Sequence, residues 1–179
     1  GGRRMRIIAG TLGGRIFASP GGQRTHPMSD KMRGALFNSL GDISGLTVLD
    51  AFAGTGALAF EAVSRGAINA VLLENDRNAQ KTIAENIELL GLENCRLVRA
   101  AAGPWLSTTQ DTFDLILLDP PYDNLQPNLL ERLAQRLCAS GRLVLSWPGK
   151  HTPPSFEGLE LVGSKQYGDS SLHFYEHKG

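Results

Sequence analysis

Long hydrophobic runs are missing from this sequence, and its cysteines are few. No apolar stretch approaches the roughly 20 residues that a membrane-spanning helix needs, and the basic start has no apolar core behind it, so neither a membrane segment nor a signal peptide is expected. The 179-residue chain has two cysteines, Cys95 and Cys138, which lie far apart without metal-ligand spacing. They favour reduced thiols in a cytoplasmic protein. The four histidines form no ligand cluster, so no metal is expected.

The sequence also lacks net charge, because 18 basic residues balance 18 acidic ones. This balance hides a local excess, since residues 1–33 contain seven basic side chains and Asp30 as their single acid. The seven are Arg3, Arg4, Arg6, Arg15, Arg24, Lys31 and Arg33. The remainder holds 11 basic and 17 acidic residues. Such a concentration of positive charge favours contact with a polyanion over a merely solvated tail.

Short apolar runs alternate with helical patterns along most of the chain. We expect strands at 46–50, 70–74, 95–99, 115–118 and 142–146, and helices at 57–65, 77–90, 104–108 and 129–138. This alternation predicts an α/β fold with a doubly wound, mainly parallel sheet. Residues 159–166 and 171–177 break the rhythm and predict an antiparallel strand pair at the end.

The first 40 residues are predicted to be an extension rather than a domain. Residues 5–10 and 14–18 favour a β-hairpin, and a helix capped by Ser29 or Asp30 is expected to run to about Leu40. A segment of this size cannot bury a core alone. We therefore expect residues 1–40 to pack on a main domain formed by residues 41–179.

A glycine-containing turn follows the first strand of that domain. It has the pattern Asp50-x-Phe52-x-Gly54-x-Gly56, which lets the backbone approach a ligand at a helix N-terminus. Glu74 ends the next strand, where a carboxylate can accept the hydroxyls of a ribose. Taken alone, this pattern is weak, because it also fits a dinucleotide-binding turn of a nicotinamide-dependent oxidoreductase.

The sequence Asp119-Pro120-Pro121-Tyr122 follows the fourth apolar run, residues 115–118. The two prolines prevent the strand from continuing and the next helix from starting at once. A carboxylate, a rigid backbone and an aromatic ring are thus presented at the carboxyl end of a strand, where α/β sheets bind ligands. This set suits a planar base that carries an amino group, although a simple capped turn with a surface tyrosine is the alternative.

Together the two motifs resemble those of class I S-adenosylmethionine-dependent methyltransferases that modify amino groups. The N-terminal blocks Met5 to Gly10, Gly14-Arg15 and Pro27 to Asn38 narrow the resemblance to the RsmD family of bacterial 16S ribosomal RNA guanine-N2 methyltransferases. The resemblance implies a Rossmann-like, seven-stranded sheet and S-adenosylmethionine as cofactor. It also implies 16S rRNA as partner, presented by an assembled or partly assembled small ribosomal subunit.

The resemblance also implies roles for individual residues. Those expected at the cofactor are Asp50, Phe52, Ala53, Gly54, Gly56, Glu74, Asn75, Ala101 and Asp119. Those expected to act on or bind the base are Asp119, Pro120, Pro121 and Tyr122. Those expected to bind RNA or cover the base pocket are Arg6, Arg15, Lys31, Arg33 and Asn38. Two departures stand out, since the family often has Arg-Pro-Thr at 26–28 and an Asp near 100–102, where this chain has His-Pro-Met and three alanines.

The chemistry expected of these residues is positioning. Hydrogen bonds from a guanine N2 amine to the Asp119 carboxylate and the Pro120 carbonyl would localise the nitrogen lone pair, and Tyr122 would stack on a flipped base. Other readings are an adenine-N6 or glutamine-amide methyltransferase, a nicotinamide-dependent oxidoreductase, and a cofactor-binding protein without activity. The oxidoreductase leaves Asp119 to Tyr122 without a purpose.

Overall fold

The computed structural model describes residues 4–21 and 28–179. Its helices are α1 (Asp30–Leu40), α2 (Ala57–Ser64), α3 (Arg77–Leu90), α4 (Ala102–Leu106) and α5 (Pro127–Ala134). Its strands are β1 (Arg4–Arg6), β2 (Ile16–Ala18), β3 (Thr47–Asp50), β4 (Asn69–Leu73), β5 (Cys95–Val98), β6 (Phe113–Leu118), β7 (Leu137–Pro148), β8 (Leu159–Tyr167) and β9 (Ser170–His177). No helix in these ranges is long and apolar enough to cross a membrane.

Seven strands form the central sheet in the order β5-β4-β3-β6-β7-β9-β8. The first five are parallel, whereas β9 and β8 are antiparallel additions at one edge. Alternate strand residues enter two separate cores. On one face Val48 and Leu115 pack with α1, α2 and α3, and on the other Leu49 and Ile116 pack with α4 and α5. The predicted doubly wound sheet with its antiparallel closing pair is confirmed.

The strand order reverses between β3 and β6. From β3 the chain winds outward through β4 to β5, and from β6 it winds the opposite way to β7. Loops that leave two such strands diverge to opposite faces of the sheet, which opens a crevice at their carboxyl ends. Asp50 ends β3 and Asp119 follows β6, so both carboxylates lie at this switch point.

The N-terminal hairpin packs on the face that carries α2 and α3. Met5, Ile7 and Phe17 are buried in the core there, and the Phe17 ring meets that of Phe60 edge-on at 5.2 Å. Polar contacts add to this packing, since the Asn86 side chain pairs with both the N–H and the C=O of Ala18. The extension therefore shares the core of the main sheet on this face.

Several predicted boundaries differ from the observed ones, those of the hairpin strands and of the last helix by the most residues. The hairpin strands are shorter because the N–H groups of Ile8 and Ala9 donate to the Glu61 carboxylate, at 2.9 and 3.0 Å, instead of extending the ladder. The predicted helix 129–138 is wrong at both ends. It starts at Pro127, a favoured first helical residue, and stops at Ala134, because Leu137 pairs with Phe113 and begins the long strand β7.

Candidate active site

The glycine turn between β3 and α2 has a backbone that only glycine adopts without strain. Gly54 and Gly56 have φ values of 57° and 85°, in the left-handed region. A Cβ on Gly56 would also lie 2.7 Å from ring atoms of Phe60. The turn therefore lies tightly over the start of α2, while Phe52 and Gly54 remain partly open to solvent and Ala53 is buried.

Glu74 fixes this turn to the end of β4. Its side chain is almost fully buried, and its Oε1 accepts the Gly54 N–H at 2.7 Å. Its Oε2 accepts the Asp76 N–H at 2.9 Å. Because each carboxylate oxygen has two lone pairs, Glu74 can hold the turn and still accept further hydroxyl donors from a ligand.

Asp50 lies beneath the same turn with no exposed surface. Its Oδ2 accepts the Ala59 N–H at 3.3 Å, whereas its Oδ1 has no hydrogen-bond partner among the described residues. Burial, together with the negative charges of Asp119 and Glu74, raises the pKa of the Asp50 carboxyl to about 8. The charges of Asp119 and Glu74 thus act on Asp50, and a cluster of carboxyl groups suits a cationic ligand with N–H donors.

The Asp119-Pro120-Pro121-Tyr122 segment turns sharply away from β6. Asp119 is half-buried, Pro120 is buried, and the Pro121 carbonyl accepts the Asn124 N–H at 3.0 Å to close a turn. Tyr122 then folds back along the sheet, where its hydroxyl lies 2.6 Å from Ser146 Oγ in β7. Tyr122 is 37% exposed, so part of the residue faces solvent while its hydroxyl is held.

The remaining residues expected at the cofactor follow neighbouring strands. Asn75 follows Glu74 and is exposed, and Ala101 is half-buried at the N-cap of α4, beyond β5. The carboxyl ends of β4, β3 and β6 therefore meet at one edge of the sheet, with that of β5 beside them. Among residues 4–21 and 28–179, no group of His, Cys, Asp or Glu is arranged to hold a metal ion.

The expected RNA-binding side chains fall into two groups. Arg6, Arg15, Lys31 and Asn38 are exposed, with Arg6 Nε 3.1 Å from Asp30 Oδ2. Arg33 is different, because it is fully buried. The predictions for Arg24 and for residues 26 and 27 lie outside the described ranges.

Arg33 has an internal role that excludes the RNA contact expected of it. Its Nη2 donates to the Arg6 carbonyl at 2.6 Å, and its Nε lies 3.4 Å from Glu61 Oε1. Glu61 is also fully buried and pairs with Arg65 at 2.8 Å. Arg33 cannot reach a phosphate without the core opening, so it ties the hairpin to α1 and α2 instead.

Two serines near Tyr122 were missed by the sequence reasoning. Ser146 is buried within the apolar strand β7 and hydrogen-bonds the phenol of Tyr122, and Ser170 lies near enough to lower the pKa of that phenol. The signal that points to Ser146 is its hydroxyl in an otherwise apolar run, Leu143 to Trp147. Such a group requires a partner.

Comparison with known proteins gives a consistent result. The profile of a family described as Conserved hypothetical protein 95 matches residues 5–176. The Ribosomal RNA small subunit methyltransferase D of Escherichia coli K12 is 36% identical over 123 residues, which cover 68% of this chain. The chain spans 62% of the length of that relative.

Two further proteins match over nearly the whole chain. The YlbH protein of Bacillus subtilis strain 168 is 30% identical over 98% of this chain and 100% of its own length. The solved structure of the yhhF protein from Escherichia coli superposes with a TM-score of 0.88 at 29% identity, covering 98% of this chain and 99% of the other. The chain therefore belongs to the Conserved hypothetical protein 95 family, as its resemblance to the RsmD family predicted.

Proposed function

We propose that this protein transfers a methyl group from S-adenosylmethionine to the exocyclic N2 amine of a guanine in 16S ribosomal RNA. One observation carries the proposal. The glycine turn over Asp50 and Glu74 and the Asp119-Pro-Pro-Tyr122 segment follow β3 and β6, which are adjacent parallel strands, so both motifs lie at the same edge of the sheet, and Glu74 at the end of β4 accepts the Gly54 N–H. A methyl donor and an amine can therefore be held side by side.

The residues present fit the cofactor. Its sulfonium supplies an electrophilic methyl group, and its cationic end suits the partnerless Oδ1 of Asp50. The backbone of Phe52, Ala53, Gly54 and Gly56 would line the amino-acid part, because two glycines leave room for close approach. The other contacts follow from the neighbouring strand ends, with the ribose at Glu74 and the adenine near Asn75 and Ala101.

The base would bind on the other side of the crevice. The Asp119 carboxylate and the Pro120 carbonyl are acceptors for the two N–H bonds of an exocyclic amine, and Pro121 restricts the backbone between them and Tyr122. Two such hydrogen bonds fix the amine so that its lone pair faces the methyl donor. The partly exposed Tyr122 ring offers a stacking face for a base removed from its helix.

The substrate class is supported by the relatives and by charge. The Escherichia coli relative is named a small-subunit ribosomal RNA methyltransferase. In this chain Arg6, Arg15 and Lys31 are exposed on the N-terminal extension. We take the small ribosomal subunit, assembled or partly assembled, as the form that presents the base in the cytoplasm.

A binding experiment separates this proposal from the oxidoreductase alternative. Isotope-labelled S-adenosylmethionine and NAD are each titrated into the protein under the same conditions. S-adenosylmethionine is expected to bind, and NAD is expected to show no saturable binding. Binding of NAD alone would overturn the proposal, while product analysis distinguishes guanine N2 from adenine N6 and a glutamine amide.

Reversing the charge of the hairpin tests the RNA surface. The double variant Arg6→Glu with Arg15→Glu is expected to bind ribosomal RNA more weakly, with a shallower dependence of log affinity on log salt, by roughly one unit of slope per lost phosphate contact. Filter binding at several salt concentrations measures both quantities. The matched control, Arg132→Glu with Lys178→Glu, changes the same charge in α5 and after β9, and should keep the wild-type slope. An unchanged slope in the hairpin variant rules this surface out.

A further inference from the structure

Ser146 is the polar exception in the buried part of β7. Leu143, Val144, Leu145 and Trp147 around it are buried and apolar, and Ser146 itself is 3% exposed. A buried hydroxyl without a partner destabilises a protein, whereas an alanine or valine here would need none. The hydroxyl is satisfied by the Tyr122 phenol, 2.6 Å away across 24 residues of sequence.

Ser170 completes the arrangement from the neighbouring strand. It begins β9, opposite Pro148 at the end of β7, and its side chain is near enough to the phenol of Tyr122 to affect its pKa. Burial raises the pKa of the Tyr122 phenol, while the hydrogen bonds from Ser146 and Ser170 act against that rise. The hydroxyl end of Tyr122 is therefore held by Ser146 of β7, with Ser170 of β9 beside it.

The other end of Tyr122 is held by the chain. Pro121 fixes one backbone angle directly before it, and the turn closed between Pro121 and Asn124 follows. The loop beyond is exposed at Asp123 and Asn124. Without the serine hydroxyls, the ring would gain rotamers that base binding would have to remove again.

We propose that Ser146, assisted by Ser170, is a positioning residue that holds the Tyr122 ring in the orientation required for stacking on the target base. The inference rests on the proposed function for its catalytic consequence, but the anchoring itself does not. Ser146 acts through Tyr122, whose phenol it contacts. The hydroxyl pair thus makes the base pocket rigid before the substrate arrives.

The experiment is a double-mutant cycle between Ser146→Ala and Tyr122→Phe, which removes the hydroxyl from either partner. Each single variant is expected to lower kcat on small-subunit RNA about tenfold, as loss of pre-organisation does, with an unchanged KM for S-adenosylmethionine. The double variant should be no slower than either single variant. A purely structural Ser146 would lower the rate again in the Tyr122→Phe background, and that result overturns the inference.

A second readout does not depend on turnover. In protein with 13C-labelled tyrosine, the Tyr122 ring is expected to show a high order parameter in the wild type and a lower one in Ser146→Ala. Tyr175, whose hydroxyl donates to the Pro154 carbonyl, is the internal control and should not change. An order parameter of the Tyr122 ring that is the same in the wild type and in Ser146→Ala refutes the anchoring. If the order parameter falls in Ser146→Ala but the wild-type protein transfers no methyl group, only the proposed function is refuted.

Discussion

Replacing Asp119 with alanine is expected to abolish methyl transfer, by a factor on the order of 10²–10³ or more, while S-adenosylmethionine still binds. The reason is that, in the proposed function, Asp119 supplies a charged acceptor for the amine at the switch point of the sheet. Affinity for the cofactor is expected to be retained. Removing the Asp119 charge lowers the pKa of Asp50, which favours the ionised form of Asp50 and so its attraction for the cationic cofactor. Rapid-quench turnover and equilibrium binding measure the two effects separately.

A control for this variant lies in the same loop. Asp123 is exposed, four residues further on, and Asp123→Ala removes the same charge without altering the crevice. It should retain turnover within about twofold, since exposed charges in this position are screened. If Asp119→Ala turned over at a near-normal rate, Asp119 would not be the acceptor for the amine.

Replacing Asp50 with asparagine is expected to change stability and cofactor binding in opposite directions. Burial, then the charges of Asp119 and Glu74, raise the Asp50 pKa from 3.8 to about 8 in the folded protein. In the unfolded chain the Asp50 carboxyl ionises near pH 4, whereas in the folded protein it keeps its proton up to about pH 8. The contribution of Asp50 to stability is therefore lost as pH rises from about 4 to 8. The slope approaches about 1.4 kcal/mol per pH unit in that window.

Asparagine carries no charge at any pH, so this loss disappears in Asp50→Asn. Urea unfolding at pH 5 and pH 8 should therefore show a smaller decrease in the free energy of unfolding for the variant than for the wild type. Asp111→Asn, which neutralises an exposed carboxylate, should follow the wild-type profile. Identical pH profiles for Asp50→Asn and the wild type would show that Asp50 does not titrate in this window.

The same substitution should weaken cofactor binding. A carboxylate with an unpaired, buried oxygen is suited to the cationic end of S-adenosylmethionine, and an amide offers half of that interaction at best. Isothermal titration calorimetry at pH 8 is the suitable measurement, because this pH lies near the pKa of the wild-type Asp50 carboxyl. An apo protein that is more stable at pH 8 but binds its cofactor less tightly is the combination expected.

Local patterns predicted most of the fold. Apolar runs bounded by glycine and proline gave the parallel strands, and Ser29 caps α1 as expected, accepting the Met32 N–H at 3.1 Å. The end of α5 was not predictable in this way, because Leu137 continues a helical apolar pattern and only its pairing with Phe113 places it in β7. Tertiary pairing overrides local periodicity at such positions.

The two motifs of the site could be predicted from sequence because glycine and proline residues, which have special backbone conformations, define them. Gly54 and Gly56 permit a turn with positive φ that other residues rarely adopt, and the two prolines restrict the backbone, so their neighbours can be placed at strand ends. Contacts between distant segments were not readable. Arg33 lies in a basic stretch and was therefore expected to bind RNA. It is buried instead, because Glu61, 28 residues further along the sequence, accepts a hydrogen bond from it.

Nucleoside mass spectrometry after in vitro methylation tests the central claim most directly. Purified protein and labelled S-adenosylmethionine are incubated with small ribosomal subunits that lack the modification, and the 16S RNA is then digested and analysed. The label is expected in one N2-methylguanosine per subunit with the wild type and to be absent with Asp119→Ala. Label in N6-methyladenosine or in a protein glutamine, or equal labelling by the Asp119 variant, would contradict it.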